Sequence, residues 1–87
     1  MPEHRITFAR SARKELEKLP PQIAERILAR IEDLSVNPRP SGSLKLKGDS
    51  NLWRVRIGDY RVVYAIDDGK SVDICFIRHR KDIYRDI

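Results

Sequence analysis

The fold is decided by residues 52–66, LWRVRIGDYRVVYAI, where side chains alternate on either side of a Gly-Asp pair. A period of two is typical of a β-strand. Gly58-Asp59 has the order that a two-residue type II′ hairpin turn prefers. Such a turn fixes the register of the two strands, because every residue then has one opposite partner. We expect the pairs Ile57–Tyr60, Arg56–Arg61, Val55–Val62 and Trp53–Tyr64.

A third strand is predicted at residues 72–78, after the turn Asp67-Asp68-Gly69-Lys70. A loop of three or five residues keeps apolar side chains on one face of the sheet. A loop of two or four would bring Asp73 onto that face, and we reject it because a one-residue slip exchanges the two faces. The expected pairs are Ile66–Val72, Tyr64–Ile74 and Val62–Phe76.

The first half of the chain reads as a helical hairpin that follows a short apolar strand at residues 6–8. Pro20 and Pro21 separate the two helices, and Pro21 can open the second because the first helical position needs no N–H. A loop follows at residues 37–42. We therefore predict one domain, residues 1–87, of the α+β class, with a twisted antiparallel sheet packed on the hairpin. The apolar stripes of the two helices are Phe8, Ala12, Leu16, Leu19 and Ile23, Ile27, Ile31, Leu34.

Composition narrows the class of partner. The 87 residues are 40% hydrophobic and 36% charged, with a formal charge of +5, which suggests a polyanion, either nucleic acid or an acidic protein. Cys75 stands alone, which excludes an internal disulfide and suits a reducing compartment. No signal peptide or bilayer-spanning run is recognised, so a cytoplasmic protein without a membrane partner is expected. Neither a metal site nor a cofactor is expected, since the single cysteine and two histidines lack zinc-ligand spacing.

Arginines gather on the other face of the predicted hairpin. Arg56 opposes Arg61, and Arg54 lies two residues along on the same face. Like charges directly across a strand pair are destabilising, and neither the turn nor the core pattern requires arginine at these positions. Guanidinium binds phosphate with two parallel hydrogen bonds, so the cluster predicts a phosphate-binding face. The alternative is a set of solvated charges on an open surface.

The C-terminal stretch adds groups capable of proton transfer. His79 can exchange protons near neutral pH, and surrounding positive charge would depress the pKa of Tyr84. Each also has a plainer interpretation, His79 as a solvated or structural residue and Tyr84 as a packing residue. Strict alternation places His79 on the arginine face and Arg80 on the opposite one. Arg80 reaches the cluster only if the chain bends or the strand has already ended.

These segments resemble the RelE/ParE superfamily of toxins from bacterial toxin–antitoxin systems. The resemblance covers the whole chain, including residues 44–48, 53–56 and 58–64, and the ending at residues 78–84 looks like the RelE branch. It implies a metal-independent endoribonuclease that cuts mRNA in the ribosomal A site. The active-surface roles that it implies fall on Arg54, Arg56, Arg61, Arg80 and Tyr84. We predict Arg61, Arg80 and Tyr84 as catalytic, with His79 in reserve. The predicted RNA or phosphate contacts are Arg54, Arg56, Lys45, Lys47, Arg78 and Lys81.

The same resemblance implies three kinds of partner: a small, acidic, RelB-like antitoxin, the ribosome with its mRNA, and operator DNA bound through the antitoxin complex. One departure concerns catalysis. Some RelE members have lysine at the paired strand positions, whereas this chain has Arg54 and Arg56, and arginine is a very poor base. Two other functions remain open, a ParE-like inhibitor of DNA gyrase acting by protein–protein contact and a non-catalytic antitoxin- or RNA-binding module.

Overall fold

The computed structural model describes residues 3–48 and 51–81, which form two helices and a five-stranded sheet. The strands are β1 (Arg5–Phe8), β2 (Leu44–Lys45), β3 (Leu52–Ile57), β4 (Tyr60–Asp67) and β5 (Ser71–His79), and the helices are α1 (Arg10–Lys18) and α2 (Pro21–Asp33). The strand order is β1-β5-β4-β3-β2. The predicted α+β class is confirmed. Strands β3 to β5 are antiparallel as expected, and the short strand β2, which the sequence did not predict, also pairs antiparallel with β3. Strand β1 pairs with β5 in parallel, so the sheet is mixed.

The helices cover one face of the sheet, which we call the helix-bearing face. Pro21 opens α2 as predicted, and α1 ends just before the Pro20-Pro21 pair. Ile27 and Ile31 of α2 are almost fully buried, as is Ala12 of α1. They pack with inward side chains of β3, β4 and β5 in one core cluster. Burying this apolar surface is the main stabilising contribution to the fold. The core residues from the sheet are Val55, Ile57, Val62, Tyr64, Ile66, Val72, Ile74 and Ile77.

The β3–β4 register is confirmed in full. Arg56 pairs with Arg61, Val55 with Val62 and Ile57 with Tyr60. Gly58 opens the turn with φ +60, a value that a glycine adopts without strain and that the first position of a type II′ turn requires. The turn therefore sets which side chains of the hairpin face the helices.

The first half of the β4–β5 register is confirmed and the second half is wrong. Ile66 pairs with Val72 and Tyr64 with Ile74, as predicted. A β-bulge then intervenes, because Val63 pairs with Phe76 and leaves Cys75 without an opposite residue. Val62 consequently faces Ile77 rather than Phe76. From this point to the end of β5 every side chain lies on the face opposite to the one that strict alternation predicted.

The loop between α2 and β2 is fastened to the sheet by three contacts. The Tyr64 hydroxyl donates to the carbonyl of Pro38 at 2.8 Å, and both residues are buried. The Arg39 guanidinium lies 5.1 Å from the centroid of the Trp53 ring and pairs with Asp68 at 2.9 Å. This ion pair lowers the pKa of Asp68, and burial raises the pKa of the Tyr64 hydroxyl. A stretch that the sequence marks only as a turn is thus anchored to both β3 and β4.

Candidate nucleic-acid interface

Three arginines lie side by side across the face of the sheet that the helices leave uncovered, here called the open face. Arg56 of β3 pairs with Arg61 of β4, and Arg61 pairs with Arg78 of β5. We call these three residues the arginine row. Neighbouring strands are about 4.8 Å apart, so the row extends about 10 Å across the sheet. It contains the Arg56–Arg61 pair predicted from the sequence and adds Arg78, which the bulge brings onto this face.

Each guanidinium of the row is held against the sheet by a backbone carbonyl. The Arg56 Nε donates to Gly58 O at 3.2 Å, the Arg61 Nη1 to Tyr60 O at 3.4 Å and the Arg78 Nη1 to Ile77 O at 3.2 Å. Each of these three contacts uses one of the five N–H donors that a guanidinium group carries. Arg56 is exposed, whereas Arg61 and Arg78 are partly buried.

Arg78 makes two further contacts, one with an aromatic ring and one with a carboxylate. Its guanidinium carbon lies 5.0 Å from the centroid of the Phe76 ring, a cation–π arrangement. Its Nη1 lies 3.7 Å from the Oε1 of Glu15 in α1. Glu15 was not singled out from the sequence, and Phe76 was expected opposite Val62 on the helix-bearing face, whereas it pairs with Val63 on the open face. Phe76 belongs to an all-apolar run in which the inward residue cannot be identified, and Glu15 is one of several charges on a charged helix.

A second row of the open face combines apolar residues with one arginine. Arg54 pairs with Val63, which is fully buried, and Val63 pairs with Phe76. Leu44 of β2 pairs with Arg54 on its other side, and 55% of this leucine is exposed. The placement of Arg54 on the open face was predicted correctly. The open face therefore presents positive charge beside two accessible apolar side chains, the exposed Leu44 and the partly exposed Phe76.

The structure places His79 on the helix-bearing face, which corrects the prediction. His79 pairs with Tyr60, and the two rings meet edge to face with centroids 5.3 Å apart. Its Nδ1 accepts a hydrogen bond from the Lys81 N–H at 3.3 Å. The bulge at Cys75 is the physical reason, since it turns His79 inward when it turns Arg78 outward. His79 is thereby separated from the arginine row.

Arg80 takes the side of the open face instead. Its N–H donates to Asp59 O at 2.7 Å, which extends the strand alternation one residue beyond β5, and its side chain is exposed. Alternation from Arg78 then places Arg80 on the same side as the arginine row. The bulge at Cys75, five residues earlier, is the irregularity that moves Arg80 from the face predicted by strict alternation to the side of the open face.

The predicted lysine contacts are dispersed. Lys45 pairs with Trp53, so it lies on the helix-bearing side of the edge strand β2 and not beside the arginines. Lys47 and Lys81 are exposed outside the strands. Tyr84, the remaining catalytic prediction, lies outside the described residues.

Other chemistry on this side of the sheet is limited. Burial and the neighbouring Asp73 carboxylate raise the pKa of the Cys75 thiol, which keeps it protonated near neutral pH. A protonated thiol is a poor nucleophile.

Within residues 3–48 and 51–81, no group of three or more histidine, cysteine or acidic residues could hold a metal ion. In the same part of the chain no helix is long and apolar enough to cross a membrane.

Comparison with known proteins agrees with the resemblance read from the sequence. Residues 6–84 match the family described as the ParE toxin of the type II toxin–antitoxin system parDE. The chain belongs to this family, the RelE/ParE toxins of type II toxin–antitoxin systems. The matched span covers both helices, strands β2 to β5 and all of β1 except Arg5.

Relatives place the chain among the toxins named RelE. It is 37% identical over 82 residues to toxin RelG of Mycobacterium tuberculosis, with 92% of this chain and 94% of the relative covered. Toxin RelE3 of Methanocaldococcus jannaschii is 32% identical over 84 residues, with the same coverages. Among solved structures, the RelBE2 toxin–antitoxin complex of Mycobacterium tuberculosis matches with a TM-score of 0.78 and 32% identity, covering 90% of this chain and 99% of that chain. The archaeal RelE–RelB complex of Pyrococcus horikoshii also has a TM-score of 0.78, with 30% identity and coverages of 90% and 96%.

Proposed function

We propose that this toxin is an endoribonuclease that cuts mRNA in the ribosomal A site. The observation that carries the proposal is the arginine row, since three guanidinium groups in register across three strands form a surface suited to phosphate. Like charges directly opposed across strands are unfavourable without an anion. Kinship to toxins named RelE and RelG supports the choice of RNA as that anion.

The proposed reaction is attack by a ribose 2′-OH on its own adjacent phosphate. The 2′-OH loses its proton, its oxygen forms a bond to phosphorus, and the bond to the 5′-oxygen breaks. The 5′-oxygen takes up a proton from water, which leaves a 2′,3′-cyclic phosphate and a 5′-OH end. Arg61, at the centre of the row, binds the scissile phosphate and stabilises charge on the phosphorane. Arg56 and Arg78 flank it, and Arg54 holds the backbone on the neighbouring row.

Arg80 and Tyr84 complete the proposed site. Arg80 follows Arg78 on the same side and is assigned to the charge that develops on the leaving oxygen. Tyr84 is assigned to orienting or deprotonating the 2′-OH. His79 has no role in this reaction, because its ring packs on Tyr60 on the other face. Among residues 3–48 and 51–81 no strong acid–base pair lies at the row, so we expect weak activity on free RNA. The ribosome supplies the orientation of the RNA in this proposal.

The proposal is tested by primer extension on translated mRNA. We expect Arg61→Ala to lower the cleavage rate by about 100-fold or more, the usual cost of losing one donor to a transition-state charge. Tyr84→Phe is expected to slow cleavage as well. Arg30→Ala is the matched control, since Arg30 is an exposed arginine of α2. A 2′-deoxy residue at the cut site should block cleavage. Parental rates in both Arg61→Ala and Tyr84→Phe would refute the site assignment.

The partners proposed for this chain follow from its relatives. The solved relatives include toxin–antitoxin complexes, RelBE2 and RelE–RelB among them. We propose a small, acidic, RelB-like antitoxin that binds this toxin in the cytoplasm and carries the complex to operator DNA. Growth arrest on expression of the toxin alone, relieved by co-expression of the acidic protein encoded beside it, is the expected result.

A second candidate is a ParE-like inhibitor of DNA gyrase, which the description of the matching family favours. That function acts by protein–protein contact and does not need a row of arginines. Cleaved supercoiled DNA in the presence of gyrase, together with intact mRNA, would select it over the endoribonuclease.

A further inference from the structure

Helix α1 takes over the edge of β5 at the point where β1 ends. The last β1 pair is Phe8 with Ile74, and the next N–H, that of Ala9, donates to Ile74 O at 2.8 Å. The Ser11 hydroxyl then donates to the Cys75 carbonyl at 3.0 Å. Cys75 is the extra residue of the bulge, so the regular pairing of β4 with β5 does not provide a hydrogen-bond donor for its carbonyl. The start of α1 thus supplies a hydrogen bond to the bulge.

Glu15 lies one helical turn after Ser11, so both side chains project from the same face of α1 toward β5. Its Oε1 is 3.7 Å from the Arg78 Nη1, at ion-pair distance. The Phe76 ring contacts the same guanidinium, and the Ile77 carbonyl accepts from it. The Arg78 side chain is only 17% exposed as a result, compared with 37% for Glu15. Arg78 is the member of the row whose described contacts include a carboxylate.

From this geometry we propose that Glu15 is a positioning residue for the RNA-cleaving site, a role that rests on the function proposed above. Glu15 acts through Arg78 and does not touch RNA. Its carboxylate fixes the guanidinium over Phe76, and it offsets one of the three positive charges that the sheet brings together. The bulge places Arg78 on the open face, and Glu15 then keeps it in line with Arg61.

Two consequences of the proposal can be separated experimentally. Without the carboxylate, Arg78 loses orientation, and a misplaced transition-state contact slows the chemical step more than it weakens binding. Loss of the Glu15 carboxylate also makes the arginine row more positive, and each further phosphate contact that RNA makes there releases cations condensed on the RNA. For single strands each phosphate contact contributes about 0.7 to the slope of log K against log salt. A slower reaction with equal or tighter, more salt-sensitive binding is therefore expected.

The experiment compares Glu15→Gln with Glu17→Gln in the full chain. Both variants remove one carboxylate from α1 and raise the net charge equally. Glu17 is exposed, and no ion pair joins it to any residue in the described ranges 3–48 and 51–81. Cleavage at saturating ribosome–mRNA complex gives the rate, and titration of a fluorescent 2′-O-methyl oligoribonucleotide across a salt series gives affinity and slope. Glu15→Asp is the conservative variant.

We expect Glu15→Gln to cleave about 10-fold more slowly than the parent, with oligonucleotide affinity no weaker and a salt slope steeper by up to about 0.7. Glu15→Asp should recover part of the rate, and Glu17→Gln should match the parent. Equal rates and slopes for Glu15→Gln and Glu17→Gln would overturn the proposal. If the parent itself does not cut mRNA, the proposed function fails, and the salt slopes alone then decide whether Glu15 controls Arg78.

Discussion

The two faces of the sheet are built on opposite principles. On the helix-bearing face, apolar side chains of three strands pack on α1 and α2, and nearly all of them are buried. On the open face, the same strands place arginine opposite arginine opposite arginine. The first arrangement stabilises the folded chain by itself, whereas the second sets like charges against one another, a repulsion that a bound anion relieves.

The difference shows how one hairpin can specify both a fold and a binding surface. Strand alternation assigns consecutive residues to opposite faces, so the side chains that stabilise the core also hold the arginines in register. Val55 and Val62, for example, are buried between the helices and the sheet, and their neighbours Arg56 and Arg61 meet on the other side. Burial of the apolar core therefore has to stabilise the fold against the repulsion among the three arginines of the row.

The largest expected effect separates the two faces by stability. Ile74 is fully buried on the helix-bearing face. Replacing it with alanine leaves a cavity and should lower the free energy of unfolding by about 2–5 kcal/mol. The control is Leu44→Ala on the open face, where the side chain is 55% exposed and a change within about 0.5 kcal/mol is expected. Urea denaturation measures both, and similar losses would contradict the contrast between the faces.

A smaller effect of opposite sign is expected within the arginine row. Arg56→Gln removes the charge that faces Arg61 and should raise the free energy of unfolding by about 0.2–1 kcal/mol at low salt. Arg54→Gln is the matched control, because Arg54 faces Val63 and relieves no opposed pair. The gain should shrink as salt is added. If Arg56→Gln destabilises the protein, the row is not a site of repulsion.

The smallest effect concerns the ion pair of Arg39 and Asp68, which lies away from the arginine row and whose two charges neutralise each other. Arg39 lowers the pKa of Asp68, so this pair stabilises the fold above the ordinary aspartate pKa of about 4 and loses that contribution as the pH falls through the lowered value. Asp68→Asn should therefore be less stable than the parent at pH 7, and the difference should disappear at an acidic pH below the lowered pKa. Asp67→Asn, one residue away, serves as the control. Chemical denaturation at the two pH values tests the sign.

How far the sequence predicts this molecule depends on the local constraint. The β3–β4 register is predictable because a two-residue Gly-Asp turn leaves one choice, and with it come Arg54, Arg56 and Arg61. The end of β5 is not predictable in the same way. Residues 74–77 read ICFI, so either Phe76 or Ile77 can face the core, and alternation carries no information about the bulge.

The parallel pairing of β1 is equally hidden. No turn connects β1 directly to β5, because most of the chain lies between them. Only folding brings Arg5–Phe8 beside residues 71–74. The Glu15–Arg78 contact depends on this edge arrangement and on the bulge together, which is why the local sequence gives no sign of that contact.

Because of the bulge at Cys75, the number of residues in β5 does not by itself determine which of its side chains lie on the open face. Cys75 has no opposite residue on β4, so a chain one residue shorter at this point could run as a regular strand with Val63 still facing Phe76 and Arg61 still facing Arg78. Single-residue differences in length at this position are therefore neutral for the basic surface. A residue lost or gained farther along, between Phe76 and Arg78, would instead turn the arginine toward the helices and the histidine outward.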